Sequence, residues 1–165
     1  MPHIRDLEPR DLESVLSINQ AARPAVGDLD HARLAHLVDE SSIALCAEEA
    51  GAIAGFCLVL APHADYDSVN YAWFSARYRD FIYLDRVAIV PEHRGRGVAR
   101  DLYTEVERLA LRLRPQPTSF TLEVNLRPRN EESLAFHARM GFTEVGRQET
   151  PYGAEVSLMA KPLPV

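Results

Sequence analysis

Phe81-Ile82-Tyr83-Leu84-Asp85-Arg86-Val87-Ala88-Ile89-Val90-Pro91-Glu92-His93-Arg94-Gly95-Arg96-Gly97-Val98-Ala99-Arg100 joins a strand-like run to a helix-like one through a basic turn. Its first ten residues are mostly apolar, β-branched and aromatic, of strand length, and Pro91 closes the run. After Gly97 the period changes. Val98, Leu102, Val106, Leu109 and Leu113 fall at spacings of three and four, which predicts an amphipathic helix over 98–114. The turn between them carries two arginines and two glycines. Gly95 and Gly97 permit positive φ and leave the backbone uncovered, so several N–H groups can point at one anion. The helix start adds unpaired N–H groups and a positive dipole end. Arg94 and Arg96 add planar donors suited to phosphate. Strand, pyrophosphate cradle and helix is one reading, with Arg94, Gly95, Arg96, Gly97, Val98 and Ala99 as the contacts. A plain strand-to-helix connection with solvated arginines is the other.

Working outward, the upstream pattern reads as a strand over 3–7, a helix from Leu12 to about position 22 behind Asp11, and a second helix over 30–40. Strands over 42–48 and 52–60 meet at Glu49-Ala50-Gly51, a hairpin signal. From 61 to 79 the periodicity stops, yet Tyr66, Tyr71, Trp73, Phe74 and Tyr78 sit there. A long aromatic loop in a compact domain is a lid or pocket wall, or else it packs on the domain flank. Downstream come a strand over 120–125, a helix capped by Asn130 and ended by Gly141, and an antiparallel pair around Tyr152-Gly153. Adjacent strands alternating with helices in this order give an α+β class with a mixed, mostly antiparallel sheet, in one domain over 1–165.

Composition narrows the function. The 165 residues carry a net charge of −6, and residues 1–50 hold the whole excess of acid. No basic face of useful size is visible, which argues against a nucleic-acid partner. There is no run of membrane-span length and no N-terminal signal pattern, so a soluble, cytoplasmic protein is expected. Cys46 and Cys57 lie in apolar runs without metal-ligand spacing, so buried, reduced thiols and no metal site are expected.

Arg94-Gly95-Arg96-Gly97-Val98-Ala99 resembles the Arg/Gln-x-x-Gly-x-Gly/Ala signature of the GNAT superfamily of acyl-CoA-dependent N-acetyltransferases. Asn130-Glu131-Glu132-Ser133-Leu134-Ala135-Phe136-His137, followed by Gly141-Phe142, resembles that family's second block, and the element order is similar to its fold. The resemblance implies a three-layer α/β/α arrangement in which two neighbouring parallel strands splay apart around acetyl-CoA. It implies that backbone groups of Val87, Ala88 and Ile89 meet the pantetheine arm and that 94–99 hold the pyrophosphate. Asn125, Asn130, Ser133 and His137 are further cofactor contacts on the same ground. The reaction implied is direct attack of an amine, from a small molecule or a peptide, on the thioester, with a homodimer as an option.

Proton handling follows less directly. The family's usual tyrosine in the second block, which lies by the cofactor sulfur and is proposed to protonate the thiolate, is His137 here. Histidine can donate a proton, or it can simply pack against Phe136 and Phe142. Many relatives use a glutamate on the central strand where this chain has Tyr83; Asp85, on the same face, is the expected base, or else a partner for Arg86. Glu123 on the neighbouring strand is a second candidate. Tyr66, Tyr71, Trp73 and Tyr83 are expected to wall the acceptor. Transfer of another acyl group, transfer to a hydroxyl, or a non-catalytic acyl-CoA sensor remain the alternatives.

Overall fold

A computed structural model describes residues 2–164. The chain runs through β1 (His3–Asp6), α1 (Leu12–Ala21), α2 (His31–Glu40), β2 (Ile43–Glu49), β3 (Ala52–Leu60) and α3 (Val69–Ser75). It continues through β4 (Phe81–Ile89), α4 (Val98–Ala110), β5 (Ser119–Arg127), α5 (Glu131–Arg139), β6 (Thr143–Glu149) and β7 (Glu155–Pro162). The strands form one seven-stranded sheet in the order β1-β2-β3-β4-β5-β7-β6. Only β4 and β5 pair in parallel; the other five pairings are antiparallel.

Period-two burial sends the two sets of strand side chains to opposite faces. Leu45, Cys57, Val59, Ile82, Leu84, Phe120 and Leu122 meet Val98, Leu102, Tyr103 and Val106 of α4 on one face. On the other, Cys46, Phe56 and Leu58 pack under Val15 of α1 and Leu34 and Leu37 of α2. Helices therefore cover both faces of a mixed sheet, the three-layer arrangement expected. The β2–β3 hairpin turns at Ala50 and Gly51, both at positive φ. Helix α4 stops at Ala110, four residues short of the predicted end, because Arg112 and Leu113 donate to carbonyls three residues back and tighten the chain before Pro115.

The main departure is residues 61–79, expected as a patternless loop. They contain α3, opened by Ser68, whose hydroxyl accepts from the amides of Asn70 and Tyr71. Tyr71 and Phe74 pack with Leu60, Phe81, Tyr83, Val156 and Leu158. The helix was illegible because it is seven residues long and sits between turn-forming residues; its stability comes from packing on the sheet, not from propensity. Trp73 lies against Gly146 of β6, where an added Cβ would overlap the indole.

Candidate active site

The site begins where β4 and β5 part. Their ladder covers only Phe81, Ile82 and Tyr83 opposite Ser119, Phe120 and Thr121. Thr121 closes it, donating its hydroxyl to the Ile82 carbonyl at 2.9 Å. Beyond that point Val87, Ala88 and Ile89 pair with β3 on one side and have no ladder with β5 on the other. The open backbone edge lies where strand-like hydrogen bonding to an elongated ligand is possible.

At the end of β4 the chain makes a 3-10 turn (Pro91–His93) and enters α4 through Gly95 at φ 75° and Gly97 at φ 81°. Gly97 caps α4 without a side chain, so the first amides of the helix have no intramolecular cap. Arg94 and Arg96 are exposed, and the Arg94 Nε donates to the Ile89 carbonyl at 3.2 Å, leaning back along the strand. Free amides, a helix N-terminus and two exposed guanidinium groups can hold a polyanion.

Across the cleft the sheet presents two carboxylates. The Tyr83 hydroxyl donates to Glu123 at 2.5 Å, and the Tyr66 hydroxyl donates to Asp85, also at 2.5 Å. Arg86 donates its Nε to the other oxygen of Asp85 at 2.6 Å. Asp85 thus has both oxygens engaged, and the pairing with Arg86 that the sequence allowed is present. Glu123 stands differently. Burial pushes its carboxyl up to about 8; the Tyr83 hydrogen bond opposes the rise, and the negative Asp85 adds to it. Glu123 is thus a half-buried acid with a raised pKa, at the mouth of the splay. Burial, reinforced by Glu123 and Asp85, raises the Tyr83 phenol, and burial with Asp85 raises that of Tyr66, so both stay protonated donors.

Tyr66 and Tyr83 therefore bond the carboxylates, and the Tyr71 ring packs against both of theirs, with centroids 5.9 and 5.4 Å away, while its hydroxyl and Trp73 engage other groups. Tyr71 is 4% exposed and donates its hydroxyl to the Ala61 carbonyl, and Trp73 covers Gly146 with Arg77 over its ring. Three residues that carry no sequence signal lie there instead, Asn70, Gln148 and Tyr152. Asn70 reaches Glu123 and donates its amide to the Tyr152 hydroxyl at 3.0 Å, and Gln148 donates to Asn70 at 2.8 Å. No spacing in the chain connects positions 70, 123 and 152; only the folding of α3 over β5 and β6 does.

Helix α5 places the second block. Asn130 caps it, its Oδ1 accepting the Ser133 amide, and its own amide donates to the Asn125 carbonyl at 3.1 Å. His137 is buried among Tyr103, Phe136 and Phe142. Its Nδ1 lies 2.7 Å from the Ser133 carbonyl, which can only accept, so Nδ1 carries the proton. The Nε2 then accepts from the Tyr103 hydroxyl at 2.8 Å. Burial lowers the His137 pKa, favouring the same neutral form. Two engaged nitrogens and a favoured neutral form support packing over proton donation. His137→Phe is expected to leave kcat close to wild type and to lower stability by about 1–3 kcal/mol, because the buried Tyr103 hydroxyl loses its acceptor. Thermal melts beside kcat check both; a large loss of kcat in a folded variant would return His137 to the chemistry.

The cysteines stand apart from this site. Both are free and buried, and burial pushes Cys46 up to about 11 and Cys57 up to about 12, which makes them poor nucleophiles. Among the described residues no cluster of three metal-ligating side chains occurs, and no helix is long and apolar enough to cross a membrane. A groove of about 510 Å³ lies at the far edge of the sheet around Arg5, Asp11 and Glu48, and contains none of the residues above.

A sequence model of the acetyltransferase (GNAT) family matches residues 5–142. A search of curated proteins finds no significant match. Solved structures share the fold. The ribosomal-protein-S18-alanine N-acetyltransferase of Escherichia coli is 20% identical, with a TM-score of 0.76 over 100% of this chain and 96% of its own. Ard1 of Thermoplasma volcanium is 20% identical with a TM-score of 0.80, covering 99% of each chain. Arabidopsis thaliana NAA60, solved in complex with acetyl-CoA, is 19% identical with a TM-score of 0.77, covering 98% of each.

Proposed function

The chain belongs to the GNAT acetyltransferase family, and from that premise we propose that it moves an acetyl group from acetyl-CoA to a peptide amine, with Glu123 as the base. The observation that carries this reading is the placing of Glu123 just beyond the point where β4 and β5 part, held at 2.5 Å by the Tyr83 hydroxyl, where burial pushes its carboxyl up to about 8. The named substrates of the Escherichia coli relative support a peptide acceptor over other amines.

The residues fit acetyl-CoA. Two positive-φ glycines, the uncapped first turn of α4 and the exposed Arg94 and Arg96 suit its diphosphate, through 94–99. The open edge at Val87, Ala88 and Ile89 suits the amides of its pantetheine arm. Acetyl-CoA would supply the acetyl group as a thioester whose carbonyl carbon an amine can attack, the C–S bond breaking and CoA leaving as a thiol with a proton from solvent. Binding both reactants in one cleft converts the encounter into an intramolecular step.

Glu123 accepts the amine proton at a carboxylate oxygen, and the Tyr83 hydroxyl bonded to it fixes that carboxylate. Asp85, which the sequence suggested for this role, serves instead as the anion that Arg86 and Tyr66 hold in place. His137, neutral and bonded through both nitrogens, delivers no proton.

The test is an amine panel with acetyl-CoA, followed by free thiol and by mass spectrometry of the product. It contains a peptide with a free N-terminal alanine, a lysine peptide with a blocked N-terminus, and a polyamine. The expected product is the alanine peptide acetylated on its α-amine. A serine peptide with a blocked N-terminus completes the panel: acetyl-CoA binding with no acetylated product would favour the sensor reading, and an ester on that serine would favour a hydroxyl acceptor.

A further inference from the structure

Asn70 takes no part in the chemistry above, yet it is a polar side chain with 2% of its surface exposed, on the first turn of α3. The Ser68 hydroxyl fixes its backbone there, accepting the Asn70 backbone N–H at 3.2 Å. Packing alone does not call for a buried amide, since apolar groups of the same shape can replace both partners of a hydrogen bond at little cost.

Which way that amide faces follows from one backbone carbonyl. The Gln148 side chain on β6 lies 3.2 Å from the Val69 carbonyl, which can only accept, so the Gln148 atom there is the donating Nε2. The same Nε2 donates to Asn70 at 2.8 Å, and the Asn70 atom that receives it is therefore Oδ1. Both N–H donors of Nδ2 are left on the other side. One meets the Tyr152 hydroxyl at 3.0 Å, and Glu123 accepts from the same amide. Glu123 Oε1 already accepts from the Tyr83 hydroxyl at 2.5 Å. The carboxylate is thus held from β4 by a hydroxyl and from α3 by an amide whose orientation β6 sets.

We propose that Asn70 is a positioning residue for the transfer: Gln148 turns its amide, and the N–H side holds the Glu123 carboxylate beside the Tyr83 hydroxyl. This rests on the reading of Glu123 as the base. A consequence follows from charge. Glu123 faces Tyr83, Asp85 and Arg86 from β4, Tyr66 from the β3–α3 connection, Asn70 from α3, Tyr103 from α4 and Tyr152 from the β6–β7 turn. Burial, with Asp85, pushes its carboxyl up against the pull of Tyr83, Arg86 and Asn70. An N–H donor favours the charged carboxylate, the form that accepts the amine proton, so Asn70 keeps the base in its working form to lower pH.

The experiment titrates labelled glutamate carboxyl carbons by NMR in the wild type, Asn70→Leu and Gln148→Met, with Glu123→Gln identifying the Glu123 signal. Beside it runs the kcat profile with the N-terminal-alanine peptide or, if another amine of the panel turns over faster, that amine. Asn70→Leu keeps the volume without the donor, and is expected to raise the Glu123 midpoint by about one pH unit or more. The acidic limb of the rate profile should move with it, while acetyl-CoA affinity by calorimetry stays at the wild-type value. Gln148→Met leaves Asn70 in place but frees its amide to turn, so midpoint and limb should move the same way by less. An unmoved Glu123 midpoint in folded Asn70→Leu overturns the proposal. Should that variant not fold, an unmoved midpoint in Gln148→Met overturns it. If Glu123→Gln keeps the full rate, the base assignment fails, and the midpoint still judges whether Asn70 holds Glu123.

Discussion

Glu123→Gln lowers kcat by about 10²–10⁴-fold, the usual contribution of a positioned general base, when assayed above the carboxyl midpoint of about 8. Glutamine keeps the shape and can still accept from the Tyr83 hydroxyl, so the loss isolates proton transfer from packing. In the wild type the rate falls as pH drops through about 8, because the carboxyl takes up the proton it must be free to accept. Stability moves with the opposite sign. The folded carboxyl holds its proton far more tightly than a glutamate in the unfolded chain, whose pKa is about 4.3. Its stabilising contribution is therefore complete below that value and is lost as pH rises through about 8. Glutamine has no proton to lose, so the variant should gain thermal stability relative to wild type on the alkaline side. Melting curves across pH and a kcat profile read the two effects separately. A full rate together with the alkaline gain in stability would make Glu123 a buried acid without chemistry.

Gly97→Glu weakens acetyl-CoA binding by about a hundredfold or more, as expected where a like charge is set against an anionic ligand at several kcal/mol. Two effects combine there. Gly97 has φ 81°, a conformation that costs a residue with a side chain about 1–2 kcal/mol. A Cβ at that position would also come 2.8 Å from the guanidinium of Arg100, which is flexible enough to move. Gly97→Ala carries the strain without the charge, so calorimetry on both variants divides the loss. A modest loss for alanine and a severe one for glutamate places a polyanion at the turn. Equal, near-native affinities in folded proteins would show that the diphosphate lies elsewhere.

The frame of the fold is legible in neighbouring residues. The apolar run 81–90, the glycine–arginine turn and the three-and-four spacing after Gly97 are local signals, and each became a strand, a turn at positive φ and a helix in place. Asn130 as the cap of α5 and Gly51 in the β2–β3 hairpin were legible for the same reason, since caps and tight turns are set by a few neighbouring residues. Tertiary structure decided what those elements do. Asp85 and Glu123 looked alike as strand carboxylates; the contacts of Asp85 with Arg86 and Tyr66 engage both its oxygens, whereas burial beside Tyr83 pushes the Glu123 carboxyl up to about 8. His137 could donate a proton or pack; the Ser133 carbonyl at Nδ1 and the Tyr103 hydroxyl at Nε2 favour packing. The helix α3, too short to announce itself, brought Asn70 to Glu123 and left Tyr71 and Trp73 in the packing. These outcomes depend on burial and on partners far apart in the chain, and desolvation and hydrogen bonding act only once those partners are in contact.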